Sequence, residues 1–327
     1  MSAGAPRSHS GSATRQLVRV VDVTIRLGFQ IPNFSYGTGV AELFPTVVAQ
    51  ATEAEAAGFD AVFVMDHFYQ LPMLGAPEEP MLEAYTALGA LATATERVLL
   101  GTLVTGNTYR NPTLLAKIIT TLDVISQGRA VLGIGTGWFE LEHDQLGYEF
   151  GTFTERFAKL DEALEIILPM IAGDRVTFSG RYYRTEQALA VPRYRDHIPL
   201  MIGGSGEKKT FGLAARYFDH LNLIAAIDEL PGKLEALARR CDEVDRDRST
   251  LETSVLLTAI PDPAFTDDMI PDQMRGRVVV GSPERIAEVV KTSVIDAGVD
   301  GVILNIPNHR PGSITAVGEA LAGVIRS

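Results

Sequence analysis

Short apolar runs alternate with longer amphipathic segments along nearly the whole chain. Runs at residues 24–30, 61–65, 98–104, 130–134, 199–202, 220–224, 251–259 and 301–306 are rich in Val, Ile or Leu, and each is too short for a helix. Their apolar residues are continuous rather than alternating, which marks strands buried on both faces. Between them apolar positions fall three and four apart. Residues 155–171 place Phe157, Leu160, Leu164, Ile167 and Ile171 on one face, with Lys159, Asp161 and Glu165 turned away. Local signals mark several ends. Asn111-Pro112 reads as an N-cap and first helical residue opening a helix over 113–126. Ser282-Pro283-Glu284 opens 285–294 in the same way, and Gly58 closes a helix over 46–57 as a C-cap.

Eight strands and eight helices in strict alternation predict an α/β fold, a (β/α)₈ TIM barrel. Eight pairs in about 300 residues fit a closed barrel better than a doubly wound sheet. Two insertions break the repeat, one after the fourth helix and one after the seventh strand. Residues 174–197 read as an excursion with its own hairpin, 175–178 and 181–183 flanking Ser179-Gly180. Residues 261–277 carry three prolines and several acidic residues and read as a long loop. Both are expected over the catalytic face, where the long functional loops of barrels gather. Residues 1–20 are expected to be a disordered tail, with 21–327 a single catalytic domain. The tail has no apolar h-region and does not read as a signal peptide.

Composition narrows the function. A formal net charge of -12 repels phosphate backbones and argues against nucleic-acid binding. No stretch reaches the roughly 18 apolar residues of a membrane span. The single cysteine, Cys241, allows no intrachain disulfide, which suits the cytoplasm. A small molecule is the expected partner.

In a barrel, chemistry belongs at the C-terminal ends of the strands. The second run ends in Asp66-His67, where His67 is suited to proton transfer near neutral pH. The fourth ends in Gly133-Ile134-Gly135-Thr136-Gly137-Trp138, whose glycines admit a planar ring and whose tryptophan, the only one in the chain, offers an aromatic wall. That run lacks the spacing of a dinucleotide fingerprint. The fifth ends in Gly203-Gly204-Ser205-Gly206-Glu207-Lys208-Lys209-Thr210. Its glycines, hydroxyls and lysines at a strand-to-helix turn suit a phosphate. The segment Glu140-Leu141-Glu142-His143-Asp144 has metal-ligand composition but none of the spacings of a metal site, so no metal is expected.

The chain resembles the luciferase-like monooxygenase superfamily, in particular its actinobacterial branch of oxidoreductases dependent on coenzyme F-420, a deazaflavin. The resemblance rests on Phe63-Val64-Met65-Asp66-His67-Phe68 and on the run from Gly101 through Val104-Thr105-Gly106-Asn107-Thr108-Tyr109-Arg110-Asn111-Pro112 to Asp123. It continues from Gly128 to Trp138, through Ile202 to Thr210, and at Gly281-Ser282-Pro283-Glu284. It spans about residues 25–324. It implies the same barrel, a dimer, and hydride transfer between coenzyme F-420 and a small organic substrate. FMN is the alternative cofactor, with an FMN-dependent monooxygenase the alternative activity. A metal-dependent barrel hydrolase and a flavin-binding barrel without turnover are the readings from other classes.

The resemblance also assigns roles. His67 is a candidate acid or base, with Asp66 beside it near the ring; Trp138 is placed with them on the catalytic rim by its strand-end position alone. Val104 and Thr105 lie at a bulge pressed against the ring face, often formed with a non-proline cis peptide. Thr136 and Gly137 flank the ring edge. Gly203, Gly204, Ser205, Gly206, Lys208 and Thr210 hold the cofactor phosphate. Independently of the resemblance, a His67 turned away from the cavity would leave Glu142 or His143, on the same rim, as the proton carrier.

Overall fold

The computed structural model describes residues 24–307 and 309–325; the expected tail, residues 1–20, lies outside them. The first half runs β1 (Leu27–Ile31), α1 (Val40–Ala56), β2 (Ala61–Val64), α2 (Ala84–Ala94), β3 (Leu99–Thr102), β4 (Thr105–Gly106), α3 (Pro112–Ile125), β5 (Ala130–Gly135), α4 (Glu140–Leu146) and α5 (Phe153–Ala172). The second runs β6 (Val176–Ser179), β7 (Arg184–Ala188), β8 (Leu200–Gly204), α6 (Lys209–Tyr217), β9 (His220–Leu223), α7 (Leu230–Asp242), β10 (Glu252–Ile260), β11 (Val278–Val280), α8 (Pro283–Val290), β12 (Gly301–Asn305) and α9 (Ser313–Ile325).

Eight of these strands close a barrel in the order β1, β2, β3, β5, β8, β9, β10, β12, and every pairing among them is parallel. All eight coincide with the apolar runs. The continuous pattern follows from their two covered faces. Ile25, Phe63, Leu99, Val131, Met201 and Ile303 fill the barrel interior, and a larger apolar layer lies between strands and helices. The strands approach closely at one point: a Cβ on Gly133 would stand 2.0 Å from the Thr102 carbonyl oxygen, so only glycine fits there.

Helix ends follow their local chemistry. Asn111 accepts the Thr113 amide at 2.9 Å and so caps α3 ahead of Pro112. Thr152 and Glu155 form a reciprocal capping box on α5. The first helix differs from expectation, starting at Val40 with Pro45 inside it, whereas the pattern predicts a start at residue 46, after the proline.

Both insertions are present, each with a correction. The hairpin after α5 pairs β6 with β7, but its second arm begins at Arg184 rather than at 181. The reason is Glu162 on α5, which accepts the amides of Arg181, Tyr182 and Tyr183 at 2.8, 2.9 and 3.1 Å and so turns that segment into the hairpin loop. Residues 261–277 hold two 3₁₀ turns, Asp267–Met269 and Asp272–Met274, and lead into β11. That strand pairs parallel with the end of β10, Thr258 opposite Val278. Three valines are too few to stand out as a strand by pattern. Helix α4, also unanticipated, lies between β5 and α5 and ends at Gly147 with φ 76°.

Candidate active site

The C-terminal mouth of the barrel is organised around the end of β3. The Leu103–Val104 peptide is cis, and the chain then returns to pair with β5 as β4. Val104 rests on a shelf of glycines. Cβ atoms placed on Gly133, Gly135 and Gly203 would come within 3.3, 2.9 and 3.2 Å of its methyl groups. Any larger residue at those three positions, two on β5 and one on β8, would displace it. Gln30, from the end of β1, donates to the Leu103 carbonyl at 3.1 Å. Thr105 is fully buried, its hydroxyl 2.6 Å from that of Thr102 and 2.7 Å from that of Tyr85. Burial, helped by the Asp66 charge, pushes the Tyr85 phenol up to about 12, so it stays neutral.

Asp66 lies beneath this segment. Its carboxylate receives both ends of the Arg110 guanidinium, at 2.7 and 2.9 Å, and the Gly106 amide at 3.0 Å. Arg110 also reaches Glu83 at 2.7 Å and lies over the Tyr85 ring. Burial raises the Asp66 carboxyl and opposes the Arg110 charge. Asp66 holds Arg110 above its usual range despite that burial, so the guanidinium keeps its proton. With both oxygens engaged, Asp66 braces the β3–β4 turn and has no oxygen left over for proton chemistry.

His67 is placed differently. Its Nδ1 lies 2.9 Å from Oε2 of Glu142, on α4. Glu142 is fully buried and accepts three further hydrogen bonds, from the amides of Phe68 (2.6 Å) and Tyr69 (2.8 Å) and from the Tyr109 hydroxyl (2.5 Å). Burial works to raise its carboxyl. His67, Tyr109 and the Tyr69 amide outweigh burial and hold Glu142 below the ordinary carboxylate range. A depressed carboxylate contributes stability above its unfolded pKa and loses it as pH falls through the lower folded value, so this cluster is intact at neutral pH and gives way only in acid. An ionised Glu142 can only accept, which places a hydrogen on Nδ1 of His67. Nε2 is then the nitrogen with no partner among the described residues. Burial and the bond to Glu142 raise the Tyr109 phenol, keeping it a donor.

His143 differs again. Its Nδ1 donates to the Phe139 carbonyl at 2.8 Å and its Nε2 accepts from Thr108 at 2.7 Å. It is fully buried, with both nitrogens occupied. Of the two fallback residues, Glu142 is therefore the partner of His67, and His143 ties α4 to the loop after β4.

Trp138 is 54% exposed and stacks on Phe139 at 5.4 Å, while the His67 ring stands edge-on to both at 5.7 and 5.9 Å. Thr136 and Gly137 are half-buried before it, and the Gly137 carbonyl accepts from Arg156 at 3.1 Å. Across the mouth, β8 ends in Gly203 and Gly204. The latter has φ 144°, a conformation side chains rarely adopt. Ser205, Gly206, Glu207 and Lys208 are exposed at the start of α6, where first-turn amides have no intrahelical partner. Thr210 packs under Gly204 and Gly206. Lys209 lies over the rings of Phe153 and Phe157, away from a cradle role, while Lys233 on α7 reaches the Ser205 carbonyl at 3.4 Å and the Glu207 carboxylate at 2.9 Å.

The fold thus brings His67, Trp138, Val104, Thr136, Gly137 and the Gly203–Thr210 turn to one end of the barrel. Sequence reasoning left Glu142 as a fallback and gave no role to Tyr109, Arg110 or Lys233. Tyr109 and Arg110 stand in the third-strand motif, which was the available signal; the α7 lysine had none.

A family model described as luciferase-like monooxygenase matches residues 25–264. The F-420-dependent glucose-6-phosphate dehydrogenase of Nakamurella multipartita is 31% identical over 315 residues, covering 85% of this chain and 91% of that protein. The Nocardia farcinica protein of the same name is 31% identical over 328 residues, covering 87% and 93%. Among solved structures, an F-420-dependent secondary alcohol dehydrogenase in complex with an F-420–acetone adduct superposes with a TM-score of 0.79 at 21% identity, over 93% of this chain and 99% of that one. The coenzyme F-420-dependent tetrahydromethanopterin reductase from Methanopyrus kandleri gives 0.75 at 18% identity, over 91% and 99%. The two structural likenesses establish the barrel.

Proposed function

The chain belongs to the luciferase-like monooxygenase family, and on that premise we propose that it is an oxidoreductase moving a hydride between coenzyme F-420 and a small organic substrate. The observation that carries this reading is His67, fixed by buried Glu142 with Nε2 left over, at the same barrel mouth as the exposed glycine turn that opens α6. The residues fit the coenzyme. The Gly204–Lys208 turn suits its phosphate, with Ser205, Lys208 and Thr210 alongside. Val104 on its glycine shelf, with Thr105 holding the bulge, suits a ring face, and Thr136 and Gly137 suit its edge. Bound there, the coenzyme supplies the hydride acceptor or donor. His67 Nε2 takes the proton that leaves a substrate hydroxyl, or returns it in the reverse direction. Glu142 fixes the ring orientation, and Asp66 with Arg110 holds the β3–β4 turn in place. The F-420-dependent naming of relatives at 31% identity over most of both chains favours F-420 over FMN.

The anion turn gives a direct test. Gly204→Val places a branched side chain at φ 144° and against Thr210, and is expected to weaken F-420 binding at least tenfold while circular dichroism stays that of the wild type. Equal affinity in equilibrium dialysis would reduce the turn to a chain connection.

No described helix is long and apolar enough to cross a membrane. We place the enzyme in the cytoplasm, where buried Cys241 would stay reduced. We also propose that it works as a homodimer. The supporting feature is a stripe on the outer face of α3, Leu114 and Ile125 exposed with Ile118 between them, beside an open groove of about 450 Å³ against α2. Leu114→Glu with Ile125→Glu should convert a dimer to a monomer in sedimentation velocity. A wild type sedimenting as a monomer would end this assignment.

A further inference from the structure

The wall beside His67 has a chemical character that bears on the substrate. Trp138 and Phe139 are stacked and both present an edge-on contact to the imidazole. Behind them Met65 and Leu71 pack with Phe139, joined by half-buried Tyr69 and Leu74. The arginines nearest this wall, and its buried carboxylate, are already engaged. Arg110 is taken by Asp66 and Glu83. Arg156 is taken by the carbonyls of Gly137 and Gly151 and lies over the Phe150 ring. Glu142 carries four donors. Among the described residues at this wall, no lysine or arginine stands free to meet a phosphate, and moving a dianion against such a surface without a permanent positive partner is costly. Exposed Lys208 and the open amides lie instead at the Gly203–Thr210 turn, the part of the mouth assigned above to the coenzyme phosphate.

We propose that Trp138 and Phe139 form the substrate-facing wall, and that the substrate is an uncharged alcohol or ketone with an apolar or aromatic body rather than a sugar phosphate. This rests on the reading of the mouth as an F-420 site with His67 as the proton carrier. Trp138 is the specificity determinant because it is the exposed member of the pair, free to lie along a flat or hydrocarbon surface while the substrate oxygen meets Nε2 of His67. Glucose 6-phosphate, the substrate in the names of the relatives, would bring a dianion to a wall with no free lysine or arginine to pair it.

Ligand-observed saturation-transfer NMR tests this without requiring turnover. The full-length protein is saturated with F-420, whose binding is first established by its own fluorescence, and then mixed with benzyl alcohol, cyclohexanol or glucose 6-phosphate. Failure of the coenzyme reading would show in that first step, and the NMR comparison can still be made on the protein alone. Benzyl alcohol and cyclohexanol should receive saturation, and glucose 6-phosphate should not. Trp138→Ala should reduce the apolar signal at least fivefold, with Trp138→Phe restoring most of it for benzyl alcohol. F-420 affinity should stay within a few-fold in both variants. Because the side chain is half in solvent, either replacement is expected to fold. Saturation of glucose 6-phosphate, no saturation of either apolar alcohol, or an apolar signal equal in wild type and Trp138→Ala would each overturn the proposal.

Discussion

Replacing His67 with alanine should lower turnover about 10²- to 10⁴-fold, the usual worth of a positioned acid or base, while F-420 affinity changes by no more than a few-fold. The expectation follows from placement: Nδ1 is fixed on Glu142 and Nε2 is left for the substrate. Glu142→Gln should act through His67 as a positioning change. The amide oxygen can still accept from Phe68 and Tyr69, but the negative charge beside the imidazole is gone. Turnover should fall and the pH–rate profile should change, whereas Kd for F-420 should not. A profile superimposable on the wild type would leave Glu142 a purely structural residue. Full activity in His67→Ala would remove His67 from the mechanism, with no second proton carrier in prospect, because His143 has both nitrogens engaged.

Arg110→Met should be the most damaging of these changes to the fold, at a cost of about 3–5 kcal/mol, because it strands the Asp66 charge in the interior. The sign of its pH dependence is determined. Burial already pushes the Asp66 carboxyl up, and Arg110 is the main counterweight, so removing Arg110 raises that carboxyl further. A folded-state pKa above the unfolded one means the native variant binds the extra proton, and its stability recovers as pH falls through that value. Urea midpoints at pH 7.5 and pH 5 check this: the deficit relative to wild type should narrow at the lower pH. A deficit below about 1 kcal/mol at pH 7.5 would show that the pair contributes little more than a surface bridge does.

The barrel was legible because its signal is repeated and redundant. Each buried strand had to be continuously apolar, and eight repetitions let small errors at the ends cancel. What escaped the pattern was decided by single tertiary contacts. Glu162 moved the hairpin turn by capturing three amides from across the chain. The three valines of β11 became a strand because β10 runs past the barrel rim to receive them. The site shows the same division. His67, Trp138 and the glycine turn stand at strand ends, where barrel chemistry collects, and could be named from position. Asp66 could be named too, but not its use: the bidentate contact from Arg110, 44 residues on, turns it from an open carboxylate into a brace. The pairing of His67 with Glu142 spans 75 residues and depends on α4, a seven-residue helix too short to announce itself by periodicity.

Every role assigned at the barrel mouth depends on the coenzyme, and the lone tryptophan on the rim makes the deciding measurement simple. Trp138 emission is followed while the purified protein is titrated with F-420 and, separately, with FMN. Saturable quenching by F-420 is expected, with Kd in the micromolar range or below, on the order of 8 kcal/mol of binding, and at least tenfold weaker binding of FMN. Tight binding of FMN with no response to F-420 would contradict the F-420 assignment.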